Sequence, residues 1–212
     1  MIINNISIIN EGYVYCRSSF YFTQDVISNC NNYNLYPGIN ILKGEIDSGN
    51  WAISYMLSMF IYRPKDFILF EAPEATINGK TVSLKDISKK ACYMDLINPL
   101  LKKNKSVKKQ ITDGLILNKS KYSNEDIYKL FGISYDRFIC PLVGTGNEIF
   151  KSMAAIGFSF NKDIYCFPWL SQKRFEGYHN NITELLELLR KLNKIVIIPV
   201  GNSDNWTGTE KY

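Results

Sequence analysis

The stretch PGINILKGEIDSGNWAISYMLSMF, Pro37 to Phe60, decides how the rest of the chain is read. Apolar Ile39 to Leu42 predicts a short strand. Gly44-Glu-Ile-Asp47-Ser48-Gly49 predicts a loop, and the apolar run Trp51 to Phe60 predicts a helix. Strand, glycine-bounded loop and helix form the layout of a phosphate-cradling P-loop, and the four residues between Gly44 and Gly49 match its spacing. A working P-loop continues with Lys and then Ser or Thr. This chain continues with Asn50 and Trp51. The frame of a nucleotide-binding domain is kept while two of its chemical positions are replaced.

Outward from that stretch, the chain reads as mixed α/β. Met1 to Asn10 alternates loosely and predicts a strand, with Glu11-Gly12 as its turn. Tyr13 to Phe22 predicts a second strand or hairpin arm, and the polar Asn29 to Asn34 predicts a loop. The helix is predicted to run from about Asn50 to Tyr62 and to be stopped by Pro64. Phe67 to Glu71 predicts a strand, Ala75 to Val82 a hairpin turning at Asn78-Gly79, and Ala91 to Leu96 a short apolar segment. From Pro99 to about Phe131, Lys-rich stretches alternate with Ile and Leu at helical spacing. Ser123 with Asp126 resembles a capping box there. Gly144-Thr145-Gly146 opens a helix, Glu148 to Phe158. Asp163 to Phe167 is a strand ended by Pro168. Ile182 to Leu192 carries one leucine-rich helical face with Asn181 as its cap, and Ile195 to Val200 is a strand buried on both faces. Pro199 weakens the end of that strand. Strand, helix and strand from 163 to 200 form a βαβ unit.

The bulk numbers bound the partners. A chain of 212 residues with 46% hydrophobic and 21% charged residues has the composition of an ordinary globular protein. A net charge of +5 is mild. The run around Lys102, Lys103, Lys105, Lys108 and Lys109 has no interleaved aromatics and reads as a solvated face, not a nucleic-acid site. Five scattered cysteines without CxxC spacing form neither a disulfide framework nor a zinc site. They read as buried small apolar residues in a reducing cytoplasm. No signal-peptide pattern and no apolar run of spanning length is visible. Membrane association is therefore expected through a partner, without direct insertion.

These elements, in this order, resemble the ATP-binding cassette domain of ABC transporters over about residues 1 to 203, leaving 204 to 212 as a polar tail. The resemblance implies a P-loop NTPase-like mixed sheet flanked by helices. It also implies an antiparallel β part and a helical subdomain at about residues 99 to 158. Ile77-Asn78-Gly79 looks like the family's short hairpin. Asp95 stands near its glutamine loop. Leu142-Val143-Gly144-Thr145-Gly146 stands at its signature sequence. Pro168 matches the Pro of the family's Asp-Glu-Pro, which places Cys166 at the metal-associated Asp and Phe167 at the catalytic Glu. Gly201 falls at the switch histidine. Tyr13, Tyr15 or Tyr21 falls near the adenine-stacking aromatic.

The replacements have physical consequences. Asn50 lacks the charge that Lys places on the β- and γ-phosphates. Trp51 offers no side-chain oxygen to Mg²⁺, and Cys166 is a soft ligand for a hard ion. Phe167 cannot deprotonate water. Losing one such element typically costs about a hundredfold to a thousandfold in rate. The expectation is a catalytically inactive subunit with no catalytic residue, metal site or certain cofactor. Its helix N-terminus keeps weak ATP binding open. It would act by protein binding, as a homodimer or as a heterodimer with an ABC ATPase, and with a membrane permease. Two alternatives stand beside it. One is an ATP-binding subunit lending its signature loop to a partner's site. The other is a soluble recognition module unrelated to transport. Asp95, Glu148 and the lone His179, read as a loop residue, have surface roles as their plainer reading.

Overall fold

The computed structural model describes residues 2–10, 14–17, 24–27, 31–44, 49–69, 73–169 and 176–201. In chain order the first half contains β1 (Ile6–Asn10), β2 (Val14–Arg17), β3 (Gln24–Ile27), β4 (Asn31–Leu35), β5 (Gly38–Lys43) and α1 (Asn50–Met59). It continues with β6 (Phe67–Leu69), β7 (Glu74–Ile77), β8 (Lys80–Val82), α2 (Leu84–Lys90) and β9 (Ala91–Tyr93). The second half contains α3 (Val107–Leu117), α4 (Asn124–Leu130), α5 (Tyr135–Ile139) and α6 (Ile149–Ser159). It closes with β10 (Ile164–Cys166), α7 (His179–Lys191) and β11 (Ile195–Val200).

A parallel sheet, ordered β5-β11-β10-β9, is the centre of the molecule. All six residues of β11 are buried, as an unbroken apolar strand requires when both sheet faces are covered. Alternation along β10 divides the core. Ile164 and Cys166 face the cluster built on α1, while Tyr165 and Phe167 face the cluster built on α6 and α7. Pro199 is accommodated because the pairing of β11 with β10 ends at Ile197. The βαβ unit is present as β10, α7 and β11. Two antiparallel sheets, β4-β1-β7-β8 and β3-β2-β6, flank this centre.

Local chemistry explains the element ends. Asn78 (φ 52°) and Gly79 (φ 73°) supply the paired positive φ angles of a type I′ hairpin between β7 and β8. Ser83, Ser106 and Ser123 cap α2, α3 and α4 by accepting a backbone N–H three residues on. At α4 the capping box is complete, with the Asp126 carboxylate accepting the Ser123 N–H at 2.8 Å. Residues 51–59 of α1 are all buried, so this helix is interior rather than amphipathic.

Three expectations are corrected. The Asn-rich segment is not a loop over its described part. Asn31–Leu35 is a strand with Tyr33 and Leu35 buried and Asn32 and Asn34 exposed, so period-two burial overrides the turn preference of Asn. Asn181 does not cap the last helix. α7 starts at His179, which puts Asn181 inside it and makes His179 a helix residue. The first long helix stops at Met59 rather than running to Tyr62, because Tyr62 and Arg63 both turn their N–H groups back to the Met59 carbonyl ahead of Pro64. Glu11, Gly12, Tyr13, Tyr21, Asn29, Glu71 and the polar tail lie outside the described residues.

Candidate functional site

The two ends of the P-loop frame are both held. Gly44 is buried and donates its N–H to the Val200 carbonyl at 3.0 Å, beside buried Gly201. Gly49 is buried with φ 85°, a left-handed conformation that favours glycine directly before a helix. Asp47 and Ser48 lie outside the described residues. Asn50 opens α1, and its side chain turns back. Nδ2 donates to the Lys43 carbonyl at 2.8 Å, and Oδ1 accepts the Tyr33 hydroxyl at 3.2 Å. The amide therefore ties β5, α1 and β4 together. Trp51 is 1% exposed, with Tyr55 at a ring separation of 6.1 Å.

The end of β10 faces α1 through a buried polar seam. Ser54 Oγ donates to the Phe167 carbonyl at 2.6 Å. Ser58 Oγ donates to the Ser54 carbonyl at 2.8 Å, and Ser88 Oγ donates to the Ser58 carbonyl at 3.0 Å. Cys166 lies among Ser58 and Ser54, on the second and third turns of α1 rather than the first. Burial pushes its thiol well above the ordinary range, and the Ser58 and Ser54 hydrogen bonds pull only partly against that. Burial likewise pushes the Cys92 thiol up to about 12. Phe167 points to the opposite face and packs on Phe150 at 5.7 Å. Pro168 is buried beside it.

The loop before α6 is built differently. Leu142 and Thr145 are buried, while Val143, Gly144 and Gly146 are exposed. Thr145 Oγ1 donates to the Leu142 carbonyl at 2.8 Å, and Arg137 Nη1 donates to the Gly144 carbonyl at 2.7 Å. Gly146 has φ 56°. The turn is therefore fixed from below and open above.

Two solved structures share this fold. One is a Pyrococcus furiosus protein provisionally named as an ABC transporter ATP-binding protein, with TM-score 0.63 and 15% identity over 96% of this chain and 94% of that one. The other is a bacterial Atm1-family ABC exporter solved with ATP bound, with TM-score 0.61 and 13% identity over 94% of this chain and 35% of that one. This chain thus spans about a third of the exporter chain.

The fold is that of an ABC transporter ATP-binding protein.

No protein-family model and no curated protein matches the chain by sequence. Within the ABC fold, the remaining candidate residues have local duties. Asp95 Oδ1 accepts the Ile97 N–H at 3.0 Å. Glu148 accepts the N–H and hydroxyl of Ser134 at 3.0 and 3.2 Å, across the start of α5. Tyr15 lies on β2. Among the described residues no His, Cys, Asp or Glu cluster is arranged to hold a metal ion, and no helix is long and apolar enough to cross a membrane. Sequence reading missed Arg137, whose bond to Gly144 joins positions seven residues apart. It also missed the buried serines Ser54, Ser58 and Ser88.

Proposed function

We propose that this protein is a non-hydrolysing ABC-type subunit that works by binding a protein partner. In this reading residues 1–203 act as one ABC-type domain, with residues 99–158 as its helical subdomain and 204–212 as a tail. The observation that carries it is the occupation of four side chains. Asn50 is spent on Lys43 and Tyr33, Trp51 fills core, Cys166 lies in the serine seam, and Phe167 packs on Phe150. Those are the positions where the family resemblance expects the phosphate-binding Lys, the Mg²⁺ ligands and the base. Each now contributes to stability in place of transition-state charge. The partner is a second copy, a competent ABC ATPase or the permease of a transport or peptide-export system. Phosphate release from Mg-ATP by the pure protein is the test. Turnover that disappears in Asn50→Ala would overturn the reading.

A second reading is favoured by the exposed Val143, Gly144 and Gly146. This chain would then present its signature-like loop to a partner's nucleotide. Reconstitution with a competent ATPase decides it. Partner activity should fall at least about tenfold when Gly146 is replaced by Glu, as expected when one transition-state contact is lost. Unchanged partner activity rejects it.

A further inference from the structure

At the carboxyl ends of β9 and β10 the surface opens into a cavity of about 250 Å³. Open α/β sheets hold small ligands at the carboxyl ends of their strands. Met94, Asp95 and Leu96 follow β9, Pro168 follows β10, and Ile149, Phe150 and Met153 come from α6. Asp95 is the one carboxylate among the described lining residues, and its Oδ1 accepts the Ile97 N–H at 3.0 Å. Phe150 is braced by Tyr178 at 5.5 Å as well as by Phe167. The two methionines make a wall that can adapt to its contents. At about 30 Å³ per water- or methylene-sized unit, the space holds roughly eight such units.

Leu96, Ile97 and Lys103 line this cavity and also a second, more open groove of about 470 Å³. The apolar space therefore runs into a polar one. Arg63, Lys102 and Lys105 join Lys103 along the groove, and none of its described lining residues is a carboxylate. The acids that approach these cations do so loosely. Arg63 is 3.8 Å from Asp66, and Lys105 is 3.9 Å from Asp113. Lys102 Nζ donates to the Pro99 carbonyl at 2.6 Å. Four positive charges along one groove, against the single Asp95 carboxylate among the described residues of the adjoining cavity, attract an anion. The apolar cavity next to them selects what that anion is attached to. Together the spaces fall in the size range of small-molecule sites, roughly 300–1,000 Å³.

We propose that this composite site binds a small amphipathic anion, with an apolar body of about eight carbons in the cavity and a carboxylate or phosphate head at Lys103. None of the described phosphate-loop residues lines the site, although Asp95 and Pro168 stand at other nucleotide-site positions of the resemblance, so ligand binding is read directly and separately from Mg-ATP turnover.

The test is titration calorimetry of the full chain with octyl phosphate below its micellar concentration. Octanoate, octanol and inorganic phosphate are run as separate arms. Octyl phosphate should bind saturably at one site, about tenfold or more tighter than octanol or inorganic phosphate. Octanoate should compete for it, and added salt should weaken both. Lys103→Glu, an exposed substitution, should weaken binding about tenfold or more while leaving the free protein's melting midpoint unchanged. Met153→Trp should fill the cavity and abolish binding. Because Met153 is a core residue, Lys103→Glu and the salt dependence carry the test if that variant does not fold. Absence of saturable binding at millimolar octyl phosphate overturns the proposal. So does equal affinity for inorganic phosphate, or full binding by Lys103→Glu. An acidic peptide that binds the groove where octyl phosphate does not also overturns it.

Discussion

The β5–α1 corner and the α5–α6 corner are both glycine-containing turns that lead into an apolar helix. They use their side chains in opposite ways. At the first, Asn50 and Trp51 turn inward, to the Lys43 carbonyl and to Tyr55. At the second, Leu142 and Thr145 hold the turn from below and Gly144 and Gly146 stay at the surface. Both helices carry a buried aromatic at their second position, Trp51 and Phe150, so that residue does not decide the contrast. The difference lies in the residues before it: Asn50 is turned back onto the Lys43 carbonyl, while the turn before α6 leaves Val143, Gly144 and Gly146 exposed.

Substitutions can break this contrast. Trp51→Ala should have the largest effect. It removes a fully buried aromatic and should cost about 3–5 kcal/mol, read as a lowered denaturant midpoint. A loss within a few tenths of a kcal/mol would mean that Trp51 is not core. Ser54→Ala should follow. It strips the buried Phe167 carbonyl of its donor and should cost about 1–3 kcal/mol. The open corner should respond less and unevenly. Gly146→Ala should cost about 1–2 kcal/mol because its φ of 56° strains any Cβ. Gly144→Ala should be near neutral, since its Cβ would meet nothing closer than the Cys140 Cβ at 3.7 Å.

The capping box of α4 sharpens the comparison within the helical region itself. Ser123→Ala should cost about 1 kcal/mol by removing one half of the capping box. Its other half depends on pH. The Ser123 N–H and then its hydroxyl hold the Asp126 carboxyl below the usual range. The stability this gives is present above the ordinary carboxylate pKa of about 3.9 and is lost as pH falls through the lowered value. Amide protection at the start of α4, corrected for the intrinsic slowing of exchange in acid, should therefore fall as pH falls, and Asp126→Asn should flatten that dependence.

How much of this was legible in the sequence differs between the same two corners. The strand and helix of Pro37 to Phe60, the Asn78-Gly79 hairpin and the Ser123 capping box could be read because each rests on contacts within a few residues. The βαβ unit could be read from its apolar runs, although β10 and β11 pair across the whole of α7. β4 could not be read, because pairing with β1 turned an Asn-rich segment into a strand through its alternating Tyr33 and Leu35. That Asn50 and Trp51 differ from the P-loop pattern was visible as residue types. What Asn50 does instead was not, since its partners Tyr33 and Lys43 meet it only after β4 and β5 are in place. The serine seam was hidden for the same reason: Ser54 and the Phe167 carbonyl are 113 residues apart.

The central claim is that the first turn of α1 belongs to the core and not to a phosphate. The most direct test is the melting midpoint of the pure protein across a series of Mg-ATP concentrations. A ligand that binds only the native state adds about 2.7 kcal/mol of stability at a hundredfold excess over its dissociation constant. The account predicts a midpoint that does not move up to millimolar Mg-ATP. A saturable rise that is lost in Asn50→Ala would contradict it.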